Sequence, residues 1–124
     1  MEIPVINIEY PFWLADTIDW QRRYVTDGEK MAVAILLSRL NVMHRTGEPF
    51  GAVIFRSEDG QLISVGMSQV VRQSNSILHA EVMAIMMAEQ RLRAFNLRVG
   101  GQRHELFSSA NPVRCVSEPH TGAV

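Results

Sequence analysis

Asn75-Ser-Ile-Leu-His79-Ala-Glu81-Val-Met-Ala-Ile-Met-Met-Ala-Glu-Gln-Arg-Leu92 places Val82, Met83, Ile85, Met86 and Met87 at helical spacing. Glu89, Gln90, Arg91 and Arg93 follow on a wetter face, so the pattern predicts a helix whose first turn holds His79. Backbone N–H groups are unpaired at such a helix start. A neutral imidazole there can bind a metal, and a carboxylate two residues on points to a neighbouring position, where it can move a proton. The His-x-Glu triplet alone does not make a metal site, since a histidine at a helix start commonly caps the helix or lies on the surface.

The 124 residues are enough for one domain, 1–124, and leave no room for a second. The chain is 47% hydrophobic with mean hydropathy near zero, which is the composition of an ordinary globular protein. A net charge of −1 and a pI of about 6.4 argue against a surface that coats nucleic acid, so no nucleic-acid partner is expected. Cys115 is the one cysteine and cannot form an internal disulfide, which favours a reducing compartment. Met1-Glu-Ile-Pro-Val lacks the basic start and apolar run of a signal peptide, and no apolar stretch reaches membrane-spanning length. A cytoplasmic location and no membrane partner are therefore expected.

Upstream of the His79 helix, Trp13, Leu14, Ile18 and Trp20 predict a short amphipathic helix over Trp13–Tyr24. Asp27 is the expected N-cap of a long helix running to Gly47, with Met31, Val33, Ala34, Leu36, Leu37, Leu40, Val42 and Met43 expected to supply its broad buried face. Pro49–Phe55 and Gln61–Val71 read as two strands joined through the turn Ser57–Gly60. Arg72–Ser76 is a polar loop in which Asn75 and Ser76 are candidate caps. The helix from His79 runs to about Phe95, Glu105–Ser108 is a third strand, and Pro112 is placed to open another helix. The order helix, hairpin, helix, strand predicts an α/β fold with a central mixed sheet and helices packed on it. The methionine-rich stripes are core, His44 and His104 are surface residues, and Arg91 and Arg93 form a solvated face.

A metal-activated water needs more than one imidazole, because catalytic zinc takes about three protein ligands and keeps one position open. The segments Met31-Ala-Val-Ala-Ile-Leu-Leu-Ser-Arg39, Gly47-Glu-Pro-Phe-Gly-Ala52, Val65-Gly66, His79-Ala-Glu81 and Glu105-Leu-Phe-Ser-Ser-Ala-Asn-Pro112 together resemble the zinc-dependent cytidine deaminase-like superfamily. The resemblance is to its nucleobase and nucleoside deaminase branch, with guanine deaminases and tRNA adenosine deaminases, whose signature is His-x-Glu followed by Pro-Cys-x-x-Cys. It implies a cytidine deaminase-like layered fold, His79 as a Zn2+ ligand and Glu81 as a proton shuttle between water and the leaving amine. It also implies that Ser68 and Ala80 line the substrate site, that Phe50 either lines it or packs in the core beside Val53 and Phe55, that Cys115 is the remaining candidate metal ligand, and that the partner is a small-molecule base or nucleoside. Guanine is the first choice among these. Family members are commonly homodimers, so the resemblance implies one here.

Two departures are visible. Ser68 stands where the family usually has Asn, and its hydroxyl cannot offer the paired donor and acceptor of an amide. Pro112 is followed by Val113-Arg114-Cys115, so one thiolate ligand is missing and the other is displaced by one residue, a rotation of about 100° on a helix. If one T is restored before the Val113 codon, the shifted codons can read Cys-Ala-Met-Cys-Leu-Gly-Ala-Thr-Tyr-Trp-Ser-Gly. On that reading residues 113–124 are an out-of-frame tail, Glu118 and His120 are accidental, and the C-terminal part of the fold is truncated. Apolar faces, including that of the His79 helix, are then expected to lie open to water. The alternative is a catalytically silent remnant that acts at most as an association module.

Overall fold

A computed structural model describes residues 2–94, 97, 101–110 and, in backbone only, 115–117. The elements are α1 (Asp27–Met43), β1 (Gly51–Arg56), β2 (Leu62–Met67), α2 (Ala80–Leu92), β3 (His104–Ser108) and β4 (Cys115–Ser117). The strands form one sheet in the order β2-β1-β3-β4. Each described neighbouring pair is antiparallel, so the change of direction expected of a mixed sheet does not occur between these neighbours. β2 and β3 run the same way on either side of β1.

The central strand, Gly-Ala-Val-Ile-Phe, is apolar at successive positions because both of its faces are covered. Val53 and Phe55 point to the side packed by Val33 and Leu37 of α1, while Ala52 and Ile54 meet Ala80, Ala84 and Ala88 of α2. Small residues set the approach of each helix. A Cβ at Gly51 would lie 2.5 Å from the Ala34 carbonyl oxygen, and one at Gly66 would fall on the Ala80 carbonyl and 2.6 Å from the Ala84 nitrogen. The head of α2 therefore lies directly against β2, and Ser64 Oγ donates to the Ala84 carbonyl at 2.6 Å to hold it there.

The N-cap of α1 is Thr26, one residue before the expected Asp27. Its hydroxyl accepts the Glu29 N–H at 3.1 Å, while the Glu29 carboxylate accepts the Thr26 N–H at 3.3 Å, a reciprocal capping box. Further along α1, Lys30 pairs with Glu105 of β3 at 3.0 Å, with both side chains nearly closed to water. α1 ends at Met43 rather than Gly47, because the chain turns at Asn41. The Asn41 amide donates to the Glu48 and Ser68 carbonyls at 2.9 and 3.0 Å, and its oxygen accepts from Thr46 Oγ1 at 2.7 Å.

The helix expected over Trp13–Tyr24 is absent: these residues form turns, closed by isolated bonds such as Ile18 N–H to the Leu14 carbonyl at 3.2 Å. Trp13, Leu14, Ile18 and Tyr24 are buried as expected, yet they reach the core from irregular backbone. β2 ends at Met67, short of the expected Val71, where Asn41 and Gln69 take over the hydrogen bonding. The chain after Pro112 was expected to be helical, and its described part, β4, is a strand paired with β3. Leu36, Val42 and Met43, expected on the buried face of α1, lie open to water with Ile35, because α1 turns Val33, Ala34, Leu37 and Asn41 inward; the α2 face expected to be open instead has Met86 and Met87 half-buried against the core.

His104 is not a surface residue. It is buried at the start of β3, its Nδ1 is 2.7 Å from the Leu97 carbonyl, and its Nε2 has no partner among the described residues. Burial is the main cause that pulls its pKa below the ordinary 6.5, and the Arg56 charge adds to it. The unfolded chain then binds a proton that the folded chain refuses, so this contribution to stability is intact above about pH 6.5 and is lost as pH falls below it. Urea midpoints are expected to fall from pH 7.5 to pH 5, and His104→Gln is expected to flatten that slope.

Candidate active site

The sheet end formed by the start of β1 and the ends of β2 and β3 gathers most of the expected site residues. Gly51 pairs with Met67, and Ala52 with Gly66 and Ser108. Phe50 and Ser68 continue this edge: the Ser68 N–H donates to the Phe50 carbonyl at 3.1 Å. Phe50 is 40% exposed, which suits a pocket wall better than a core position, whereas Ser68 is buried. Asn41 of α1 clamps both segments, through the Glu48 carbonyl two residues before Phe50 and through the Ser68 carbonyl itself.

Beyond Ser68, the Gln69 N–H donates to the Leu78 carbonyl at 3.0 Å, stitching the exit of β2 to the approach of α2. Asn75 shapes this approach and does not cap the helix: its side-chain oxygen accepts the Ile77 N–H at 3.0 Å. The N-cap is His79, in extended backbone, and its side chain makes no capping bond. The imidazole is exposed and is left free for another role. Ala80 is fully buried with its carbonyl against Gly66, so its small side chain is a packing requirement of the helix head.

Glu81 is half-buried in the first turn of α2, and its carboxylate accepts Ser108 Oγ at 2.5 Å. Ser108 in turn accepts the Ala110 N–H at 3.3 Å, and Ser109 Oγ accepts the Gly51 N–H at 2.9 Å. The end of β3 thus anchors the carboxylate to the sheet. Sequence reasoning quoted Ser108 within a motif without giving it a role; its position at the end of a buried strand, just before a turn, was the available signal. Glu48 was also missed. One of its carboxylate oxygens accepts the Val71 N–H at 3.1 Å, and the other is buried without a partner among the described residues.

Cys115 begins β4, and its backbone is in register with Leu106, two residues before Ser108. Glu118 and His120 lie outside the described residues. Arg91 does more than meet solvent: it donates to the Leu62 and Ile63 carbonyls at 2.8 and 3.0 Å and lies over the Trp20 ring. A wide groove of about 700 Å³, lined by Ile6, Ile8, Met86 and Met87 among others, lies on the arm side of α2 and includes none of the site residues.

Residues 25–115 match the family described as the cytidine and deoxycytidylate deaminase zinc-binding region, and the chain belongs to that family. Solved structures agree. NE0047 in complex with 2,6-diaminopurine is 30% identical with a TM-score of 0.76, over 83% of this chain and 55% of that one. Guanine deaminase from Nitrosomonas europaea is 28% identical with a TM-score of 0.77, over 85% and 58%. Guanine deaminase from Bacillus subtilis is 32% identical with a TM-score of 0.62, over 68% and 50%. The chain therefore spans between half and three fifths of the length of these relatives. No curated protein matches it. No helix among the described residues is long and apolar enough to cross a membrane.

The family implies zinc, and the donors of this chain can be tested against it. Among the described residues no three His, Cys, Asp or Glu side chains come together to hold a metal. His44 stacks on Trp13 at 5.6 Å, and His104 is engaged with the Leu97 carbonyl. This leaves His79 as the free imidazole among the described residues and Cys115 as the single thiol of the sequence. Catalytic zinc requires about three protein ligands. The donors among the described residues do not fit the group.

Proposed function

We propose that the site is built for hydrolytic deamination of a nucleobase, with guanine as the first choice over other bases and nucleosides. The observation that carries this reading is the Glu81 carboxylate, fixed by Ser108 beside a free His79 at one sheet end that also holds Phe50 and Ser68. The relatives that are guanine deaminases, and the one bound to 2,6-diaminopurine, support a purine as substrate.

In this assignment Glu81 takes a proton from water as the water oxygen bonds to the ring carbon bearing the exocyclic amine. The carboxylic acid so formed gives that proton to the ring nitrogen; the carboxylate then takes a second proton from the new hydroxyl and passes it to the amine as the carbonyl forms, the carbon–nitrogen bond breaks and ammonia leaves. Ser108 positions the carboxylate for both transfers. Phe50 offers an aromatic face to the base, and Ser68 a single hydroxyl to its edge. His79 is the imidazole ligand of this assignment, and Cys115 is the thiol that sequence reasoning sets beside it. A cytoplasmic homodimer acting on a free base completes the reading.

The second reading is a catalytically silent remnant, and the single thiol favours it for the chain as written. Ammonia release from guanine, adenine, cytosine and their nucleosides, assayed alongside zinc content, separates the two. Release from guanine above the others is expected wherever zinc is bound one per chain. Silence across the panel in zinc-loaded protein sinks the deaminase assignment, and silence in zinc-free protein is the remnant's signature.

A further inference from the structure

We infer that residues 113–124 are an out-of-frame translation of a segment that, in frame, opens with the two missing thiolates and completes the metal site of His79. The inference rests on the deaminase reading above. The mismatch in the metal donors is confined to one point. Upstream of it the sheet end is intact: β3 pairs with β1 up to Ser108, Ser108 holds Glu81, and Ser109 closes on Gly51. The donor set fails only after Pro112, where the family's Pro-Cys-x-x-Cys should follow.

The genetic code makes the repair restrictive. Every valine codon begins GT, so a T placed before the codon of Val113 yields TGT, cysteine, whatever the third base. The last base of the Cys115 codon joined to the GT of Val116 reads either TGT, cysteine, or CGT, arginine. A single missing base therefore restores a cysteine at position 113, and one particular codon at Cys115 restores another at position 116, three residues on. The two sulfurs of such an i, i+3 pair lie on one helix face.

The local structure of the tail follows from the same shift. As written, Val113-Arg-Cys-Val116 carries two β-branched residues, and the described part, β4, is a strand. The shifted reading, Cys-Ala-Met-Cys-Leu, contains no β-branched residue and three good helix formers directly after Pro112.

The test has two parts. The codons for Val113, Arg114 and Cys115 should read GTG, CGA and TGT; TGC at Cys115 gives arginine in the shifted frame and overturns the inference whatever the protein does. The chain as written, and a version with one T inserted before codon 113 and translated to the next stop in that frame, are then each expressed with zinc. The first is expected to hold less than about 0.1 zinc per chain, and the second about one, with a melting temperature that drops on chelation. His79→Ala in the second is expected to abolish the zinc. Stoichiometric zinc in the chain as written, or none in a folded frame-restored chain, overturns the inference. A frame-restored chain that binds zinc yet deaminates nothing upholds it and sinks only the deaminase assignment.

Discussion

Glu81→Ala in the zinc-loaded, frame-restored chain is expected to lower ammonia release from guanine by about 10²- to 10⁴-fold, the range over which a positioned proton carrier acts. The loss is expected in kcat with KM little changed, because the carboxylate works on protons in flight and does not grip the base. Glu81→Gln sharpens the test. The amide oxygen can still accept the Ser108 hydroxyl, so the link from α2 to β3 survives while proton transfer does not. Equal loss of kcat in both variants, with the melting temperature of Glu81→Gln unchanged, identifies proton transfer as the role. A Glu81→Gln variant that keeps most of its activity would reduce Glu81 to a structural tie.

The largest expected effect on stability is at Glu105. Its carboxylate meets Lys30 at 3.0 Å between α1 and β3, and the ammonium also lies 5.7 Å from the centre of the Phe55 ring. Glu105→Ala would strand a positive charge under α1 with an aromatic face as its remaining described contact. Removing one partner of such a buried pair costs about 3–5 kcal/mol. The double change Lys30→Met with Glu105→Leu removes both charges and keeps the volume, so it is expected to recover most of that loss. Urea unfolding of the two single variants and the double variant forms the cycle. A Glu105→Ala variant as stable as the parent would show that water reaches Lys30 and that the pair contributes little.

The helices and strands that carry the fold were legible because their apolar periods are unambiguous: α2 from Val82 to Met87, and β1 as an unbroken apolar run closed by Gly60. The place of His79 and Glu81 at the head of α2 was legible for the same reason, since a strong helical period fixes where its own head must lie. Trp13–Tyr24 misled because burial and helicity are separate properties. Trp13 reaches inward to give its indole N–H to Thr46 Oγ1 at 2.9 Å, a contact with the turn that follows α1 and that no local pattern announces. His104 misled because its partner, Leu97, comes from a loop without a period. The shift of the α1 cap from Asp27 to Thr26 was recoverable in principle, since Thr26-Asp-Gly-Glu29 is itself a capping-box pattern. The anchoring of Glu81 by Ser108 joins residues 27 apart across two elements, and such pairings follow from strand order, which periodicity does not encode.

The tie between Ser109 and Gly51 spans 58 positions, and the serine just before it restrains the carboxylate of α2. Pairings this distant in sequence form late, after local turns of helix and the β1–β2 hairpin have appeared. A nascent polypeptide still lacking β3 would own the Glu81 carboxylate without the hydroxyl that fixes it, so the anchor arrives together with the closing strand. A nick between α2 and β3 should accordingly yield two pieces in which Glu81 regains its anchor only when they reassociate.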